Sequence, residues 1–255
     1  MNNQSFIGQD VWDARNDGLD LRSGKCDFDD LFEKYLPEGG SCFEVGCYPG
    51  RILMHLGKRF GYTVSGIDLT PHVKDRLRKK ILENGIELGT LIHGDFFSFH
   101  SRDVYDIVCS FGFVEHFADV EDVLVRHIRL VKPGGILVIS CPNFRKLQYV
   151  LHRCLDRKNL MEHNRDAMDL GKWRDVLVRH NMKIIHHGYY GTAGFWVEHE
   201  PGIKSIARRS LGKVLSIAMQ GIDRVTDLPN PVISPYMISF SKKKLWQKDR
   251  RTEVL

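Results

Sequence analysis

The residues best suited to chemistry in this sequence are two acids and two glycines, placed along two predicted strands. Glu44 ends a short apolar run and is followed by Gly46 and Gly50, and Asp68 ends the next apolar run. After Gly50, apolar residues recur at the spacing of a helix. A glycine turn between a strand and a helix lets a ligand lie against backbone, and an acid about 20 residues later can reach ribose hydroxyls. The pattern predicts a nucleotide-type cofactor site.

The residues of the turn bear on which cofactor would bind. A dinucleotide site favours Gly-x-Gly-x-x-Gly, because a pyrophosphate needs two close approaches to the backbone. Tyr48 stands where the middle glycine would be, and the Glu44 carboxylate would repel a pyrophosphate. The same carboxylate suits a ligand with an ammonium group, a sulfonium and no phosphate, which describes S-adenosylmethionine. An ordinary strand, turn and helix with a surface glutamate is the alternative.

Three stretches carry a resemblance to a known family. Residues 41 to 57 resemble the first motif of the class I S-adenosylmethionine-dependent methyltransferases, an acid followed by Gly-x-Gly-x-Gly, with Tyr48 as a departure. Glu115-His116 after the fourth predicted strand is similar to the small-molecule branch, which includes the ubiquinone-biosynthesis O-methyltransferases. Leu-Val-Lys-Pro-Gly-Gly before the apolar run Ile136 to Cys141 is similar as well. The resemblance covers roughly residues 41 to 140, and the C-terminal third only loosely.

The resemblance implies which residues bind the cofactor. They lie at the ends of the first four strands: Glu44, Gly46, Cys47, Tyr48, Gly50, Asp68, Leu69, Asp95, Phe96, Ser110 and Phe111. In the family, an acid at the position of Asp95 accepts a hydrogen bond from the adenine amino group while the next residue covers the ring. A turn-forming aspartate after Gly94 is the alternative for Asp95.

His116 is the candidate for catalysis. Methyl transfer from a sulfonium requires alignment of donor and acceptor and, for a hydroxyl acceptor, removal of a proton. A histidine near its ordinary pKa suits that task at neutral pH, although His116 could instead contact the cofactor or pack beneath it. The segment after the fifth strand walls the acceptor pocket in this fold, so the acceptor-binding candidates are Asn143, Tyr149, His163 and Asn164.

Alternating strand and helix patterns predict an α/β fold with parallel strands and right-handed crossovers. The resemblance implies a Rossmann-like, doubly wound sheet of seven strands in the order 3-2-1-4-5-7-6, with helices on both faces and the last strand antiparallel. The alternation from Tyr236 to Ser241 by itself indicates a half-exposed strand at a sheet edge.

We divide the chain into an approach or cap segment at residues 1–40, a methyltransferase domain at 41–242 and a charged tail at 243–255. Residues 142–165 and 197–232 are predicted insertions on the acceptor side. Within the second insertion, 203–218 has an apolar stripe and separate basic residues. Such a helix packs on its own domain or lies on an anionic membrane near a lipid-linked substrate.

Composition sets further bounds. The chain has 255 residues, a formal net charge of +5 and six cysteines, three of which, Cys42, Cys109 and Cys141, fall in predicted buried strands. Buried free cysteines favour a reducing cytoplasm. No signal peptide or membrane span is expected.

No metal site is expected, because histidines and carboxylates do not cluster along the sequence with ligand spacing. A nucleic-acid partner is not expected, since the tetrad of adenine N-methyltransferases and the Pro-Cys nucleophile of cytosine C5 enzymes are absent from their expected place.

The sequence thus predicts an S-adenosylmethionine-dependent methyltransferase acting on a hydroxyl of a small molecule or a glycan precursor. Glu-Val-Gly-Cys-x-Pro-Gly-Arg and the following Phe-Gly-Tyr-x-Val-x-Gly-Ile-Asp resemble bacterial methyltransferases of surface-polysaccharide biosynthesis. The alternatives are an NAD-dependent oxidoreductase, which would share the reasoning for Asp68, and a non-catalytic partner-binding member of the methyltransferase fold. The oligomeric state is left open.

Overall fold

A computed structural model of the chain describes residues 5, 8, 11–12, 26–191, 194–195, 210–215, 217 and 229–245. Its centre is a seven-stranded sheet in the order β3-β2-β1-β4-β5-β7-β6. The strands are β1 (Ser41–Val45), β2 (Thr63–Asp68), β3 (Leu88–His93), β4 (Tyr105–Phe111), β5 (Val131–Pro142), β6 (Met182–Tyr190) and β7 (Tyr236–Lys243). Strands β1 to β5 pair in parallel, and β7 runs antiparallel to both of its neighbours. The predicted fold class, strand order and reversed last strand are confirmed.

Helices cover both faces of the sheet. They are α1 (Asp29–Tyr35), α2 (Arg51–Phe60), α3 (Arg76–Glu83), α4 (Val120–Leu130), α5 (Lys146–Leu155), α6 (Arg157–Met161) and α7 (Leu170–Arg179). Phe32, Leu53 and Leu77 of α1 to α3 belong to the apolar core on one face, whereas Leu124 and Trp173 of α4 and α7 belong to the core on the other face. The two cores explain why the parallel strands are apolar on both sides.

Between β2 and α3, a 3₁₀ turn at Pro71–Val73 ends before α3 begins at Arg76. Two local details differ from the sequence prediction. Strand β5 begins at Val131 and already contains the Pro-Gly-Gly that was expected to precede it. Strand β7 is not the half-exposed edge, because it lies between β5 and β6 with residues 237–241 buried. The half-exposed edge on that side is β6.

The predicted segments outside the sheet are described only in part. Most of residues 1–40 before α1, most of 197–232, and residues 246–255 of the tail lie outside the described residues. Within 203–218, residues 210–215 and 217 are helical, and Leu211, Val214 and Ile217 are 48, 62 and 68% exposed. In the described part of the chain, no helix has the length and apolar character needed to cross a membrane.

His127 on α4 is a buried histidine from which we expect the folded state to lose stability in acid. Its ring is fully buried against Phe96 and Phe113, with Nδ1 donating to the Val123 carbonyl at 2.7 Å. Burial lowers the pKa of His127 from 6.5 to about 4. Below pH 6.5 the unfolded chain therefore binds a proton at His127 that the folded chain does not bind. The folded state loses stability as the pH falls toward 4.

We expect this one histidine to cost about 3 kcal/mol of unfolding free energy between pH 7 and pH 4. Urea unfolding measured at several pH values, in the protein and in His127→Gln, checks the prediction. Glutamine can still donate to the Val123 carbonyl but does not titrate. The loss of unfolding free energy between pH 7 and pH 4 should be smaller in the variant by that amount. An equal dependence of unfolding free energy on pH in the two proteins would contradict the prediction.

Candidate functional site

The site is a cavity of about 510 Å³ at the carboxyl ends of β1 to β4. This edge is where open α/β sheets bind ligands, next to the point at which strand order reverses between β1 and β4. The lining comes from four loops and from the N-terminal segment: Ser5, Trp12, Gly46, Tyr48, Ile67, Asp68, Leu69, Gly94, Asp95, Phe96, Phe97, Phe111, Gly112, Phe113, His116 and Phe117.

The first loop needs its glycines for two different reasons. Gly46 has a φ of +71°, and a Cβ there would lie 2.9 Å from the Phe113 ring, so only glycine leaves this part of the cavity open. Gly50 has a φ of +88° and would place a Cβ against Leu77 of α3. Tyr48, at the position of the expected middle glycine, lines the cavity, and its buried hydroxyl has no hydrogen-bond partner among the described residues.

Asp68 lies where the sequence predicts it, at the tip of β2 and in the cavity wall. Its Oδ2 accepts a hydrogen bond from the Tyr48 amide at 2.9 Å, and its Oδ1 accepts one from the Thr70 amide at 3.0 Å. The carboxylate therefore links the glycine loop to the loop after β2. Each carboxylate oxygen can accept more than one hydrogen bond, so capacity for a pair of ligand hydroxyls is retained.

Glu44 lies behind the loop rather than in the cavity wall. Side chains alternate along β1, so Glu44 points to the same sheet face as Cys42, whereas Phe43 and Val45 point to the opposite face. Its carboxylate accepts from the Leu53 amide in the first turn of α2, whose N-cap, Gly50, has no side chain to do so. The other oxygen, Oε2, is buried without a hydrogen-bond partner among the described residues. Burial and the nearby Asp68 raise the pKa of Glu44 well above its usual value.

The remaining predicted cofactor residues divide into two groups. Leu69, Asp95, Phe96 and Phe111 line the cavity, whereas Cys47, Gly50 and Ser110 are buried beside it and do not. Asp95 accepts from the amides of Phe97 and Ser98 and from the Ser98 hydroxyl, so it also has the turn-forming role that the sequence left as an alternative.

His116 lies in the cavity wall at the end of a 3₁₀ turn, Val114–His116, that follows β4. The Trp12 ring meets it edge-on with centroids 5.0 Å apart, and the His163 ring lies 4.6 Å away. Nδ1 of His116 contacts the Glu162 carbonyl at 3.2 Å, which fixes the ring's orientation. The neighbouring Glu115 is fully buried, and burial raises the pKa of its carboxyl to about 8.

The four acceptor-binding candidates do not form the cavity wall. Asn143 instead ties the end of β5 to the Pro231 and Ser234 carbonyls, and Tyr149 stacks under the Arg165 guanidinium. Asn164 binds the main chain of Glu115 and Phe117, so it holds the His116 loop in place. His163 reaches the site through its contact with His116.

Sequence reasoning missed much of the wall around His116. Ser5 bridges Phe117 in a short antiparallel pair, and Trp12 covers His116. Phe97, Phe113 and Phe117 pack ring to ring across the same region, with centroids 4.8 Å apart in each pair that includes Phe117. The aromatic run around residues 96 to 117 was a signal for such a wall. Ser5 and Trp12 follow no periodic pattern that would have marked them.

The expectation that no metal ligands cluster was based on sequence spacing, and the fold brings three such residues together. One ligand atom from each of Glu115, His116 and His163 lies within 4.8 Å of the other two. His163 comes from the segment after β5, so its approach to Glu115 depends on tertiary structure alone.

Comparison with known proteins places this chain in a family. Residues 21–193, more than half of the chain, match a family model described as "Methyltransferase domain". The ubiquinone biosynthesis O-methyltransferase of Thiobacillus denitrificans is 32% identical over 115 residues, covering 44% of this chain and 49% of that protein. The ubiquinone biosynthesis O-methyltransferase of Rickettsia canadensis is 29% identical over 108 residues, covering 42% and 45%. The chain thus spans about half the length of the curated relatives it matches.

Solved structures share the fold across most of the chain. An S-adenosylmethionine-dependent methyltransferase from Geobacter sulfurreducens, in complex with S-adenosyl-L-homocysteine, has a TM-score of 0.59 and 14% identity, covering 93% of this chain and 99% of its own. At that identity the likeness concerns the fold alone.

Proposed function

This chain belongs to the methyltransferase-domain family of class I S-adenosylmethionine-dependent enzymes, and from that membership we propose that it methylates a hydroxyl of a small molecule. The observation that carries the proposal is a single cavity with the Asp68 carboxylate and the glycine loop in its wall together with the His116 imidazole. One cavity can therefore hold a donor and an acceptor side by side. Family membership decides against the NAD-dependent alternative.

The polar and apolar groups in and behind the cavity wall suit S-adenosylmethionine. Asp68 would take the ribose hydroxyls, and Phe96 with Leu69 would hold the adenine between apolar surfaces. The Tyr48 hydroxyl, which has no hydrogen-bond partner among the described residues, lies in the cavity wall and is a polar atom that a ligand with an amino group would satisfy. Glu44, buried behind the loop, would attract that amino group from there. When bound, this cofactor supplies a methyl group already activated by a sulfonium.

The part of the wall near His116 suits a flat acceptor. Trp12, Phe97, Phe113 and Phe117 present ring faces and edges to it, and such surfaces pack against aromatic rings or the apolar face of a sugar. His116 would draw the proton from the acceptor hydroxyl, since a positioned imidazole is suited to proton transfer at neutral pH. The resemblance to polysaccharide methyltransferases supports a glycan precursor as the first acceptor to try, and the ubiquinone O-methyltransferase relatives support a phenol as the second.

Peripheral membrane contact belongs to the same proposal. The described part of 203–218 exposes Leu211, Val214 and Ile217 instead of burying them against the domain. An outward apolar stripe beside basic residues such as Lys213 suits a membrane surface and a lipid-linked acceptor at the cytoplasmic face.

Two measurements test the function. Titration with S-adenosyl-L-homocysteine and with NAD should show tight binding of the first only. Absence of binding by either would favour the non-catalytic alternative. Mass spectrometry should then find a mass gain of one methyl group in reactions with sugar nucleotides, glycolipid fragments or phenols. A methylated amine in place of an ether product would contradict the choice of oxygen.

Glu44→Gln should weaken S-adenosylmethionine binding by about tenfold, the equivalent of ~1.4 kcal/mol. Glutamine keeps an oxygen for the Leu53 amide, so the cap on α2 survives. The carboxyl group that would ionise when an ammonium group binds on the other side of the glycine loop is lost. Isothermal titration measures the affinity, and thermal unfolding confirms the fold. Glu83→Gln, an exposed glutamate of α3, is the matched control. Equal affinity in both variants would remove Glu44 from the cofactor site.

A further inference from the structure

Glu115 is a buried carboxyl group that has no partner on another residue in the part of the chain that the structure describes. Its side chain is fully inaccessible to solvent, and neither carboxyl oxygen has a hydrogen-bond partner among the described residues. Burying a carboxyl group unsatisfied is costly, so an orphaned carboxylate beside a cavity points to a bound group that completes it. His116 and His163 are the groups best placed to share that bound group, because one ligand atom of each lies within 4.8 Å of a Glu115 carboxyl oxygen.

The two histidines have matching environments. Nδ1 of His116 contacts the Glu162 carbonyl at 3.2 Å, and Nδ1 of His163 contacts the Asn159 carbonyl at 2.6 Å. A carbonyl can only accept, so Nδ1 carries a proton in each ring, and in the neutral ring Nε2 is then the nitrogen able to bind a metal ion. A second ring nitrogen that donates to a backbone carbonyl is the usual arrangement of metal-binding histidines, because it fixes the tautomer and the ring orientation.

We propose that Glu115, His116 and His163 bind a divalent transition-metal ion, in the first place Zn²⁺. Their ligand atoms lie within 4.8 Å of one another. Ligand bonds of ~2.1 Å in a tetrahedral site place ligand atoms roughly 3.4 Å apart, so modest side-chain rotation closes the set around an ion. Two imidazoles and one carboxylate favour zinc or another first-row metal over Mg²⁺, which prefers oxygen ligands.

The position of the set gives the ion a role. Three protein ligands leave a coordination position open, as in catalytic zinc sites, and His116 lines the cavity that we assign to the acceptor. An ion there would bind the acceptor hydroxyl and lower its pKa, releasing the proton to solvent, as zinc does for bound water. His116 would then act as a ligand and not as the base itself. This role depends on the proposed function, but the existence of the site does not.

Metal binding is measured directly, without turnover. After chelation, titration of the protein with Zn²⁺ should show one equivalent bound, and Co²⁺ should give the visible absorption of a low-symmetry site. Glu115→Gln and His163→Asn each remove a ligand; asparagine can still donate to the Asn159 carbonyl. Each variant should lose about 100-fold or more in metal affinity. His180→Asn, at the end of α7, is the control and should bind as the unaltered protein does.

Binding of S-adenosyl-L-homocysteine is measured on every variant. It should be unchanged, which shows that the variants fold and separates a failed metal site from a failed cofactor site. A protein that binds S-adenosyl-L-homocysteine but takes up no zinc overturns the metal proposal and leaves the proposed function standing. Zinc binding that survives in either ligand variant at the level of the control also overturns it. If Glu115→Gln does not fold, His163→Asn alone decides.

Discussion

Asp68→Ala is expected to lower the affinity for S-adenosyl-L-homocysteine by about 100-fold or more while the chain stays folded. Hydrogen bonds to a charged group contribute roughly 1.5–3 kcal/mol each, and a ribose offers two hydroxyls to one carboxylate. The loss of two such bonds is ~3 kcal/mol or more, which is two decades in the dissociation constant. The variant also frees the Tyr48 and Thr70 amides that Asp68 now binds, so the glycine loop loses an anchor.

A second variant separates these two contributions. Asp68→Asn keeps one oxygen that can accept from a loop amide but loses the charge and one acceptor. If the ribose contacts dominate, its affinity should fall between those of the unaltered protein and the alanine variant. Isothermal titration with S-adenosyl-L-homocysteine measures all three proteins, and circular dichroism checks the fold. Undiminished affinity in Asp68→Ala would place the adenosyl group elsewhere and end the site assignment.

The position of Asp68 was predictable because the signal is local. A strand, a glycine turn, a helix and a second strand ending in an acid follow each other along the chain, and parallel pairing of β1 with β2 brings the turn and the acid together. The orientation of Glu44 was not predictable in the same way. Strand β1 is buried on both faces, so hydrophobicity does not alternate along it and nothing in the sequence shows which face a given residue takes.

The misplacement of β7 has a different cause. Ser239 and Ser241 alternate with Ile238 and Phe240, which is the usual pattern of a strand with one solvated face. Both serines are nevertheless buried, and the Ser239 hydroxyl contacts His187 of β6 at 2.9 Å. A polar residue that finds its partner across the sheet looks the same in sequence as one that faces water. The strand order implied by family resemblance was correct where the pattern by itself was not.

The environment of His116 could be predicted least. The 3₁₀ turn that presents it is local, but Trp12 arrives from the N-terminal segment and His163 from the segment after β5. Such contacts depend on how segments that are distant in the sequence pack in the fold. The spacing of residues in a single sequence does not indicate them. The acceptor candidates illustrate the consequence: Asn143 and Asn164, from the segment after β5, hold main chain in place.

His116→Ala should lower turnover by about 100-fold or more while changing S-adenosyl-L-homocysteine affinity by less than about threefold. A positioned acid or base contributes roughly 10²–10⁴ in rate. Loss of a ligand to a metal ion that activates the acceptor should lower the rate by at least as much. The ring contacts Trp12 and His163, which lie outside the glycine loop, so the cofactor's contacts with that loop should survive its removal. Steady-state rates and isothermal titration on the same preparations give the two numbers.

His116→Asn separates a chemical role from a structural one. Asparagine can donate to the Glu162 carbonyl, as Nδ1 does now, and so keeps the loop tie while removing the second ring nitrogen. If His116 only holds that loop, the asparagine variant should keep nearly full activity; if the nitrogen draws a proton or binds an ion, the variant should be as slow as alanine. Activity of the unaltered protein with and without added Zn²⁺ then distinguishes the two chemical roles. A histidine that acts as the base works without the metal, and a histidine that acts as a metal ligand does not. Full activity in both variants would leave the chemistry to another residue of the aromatic wall.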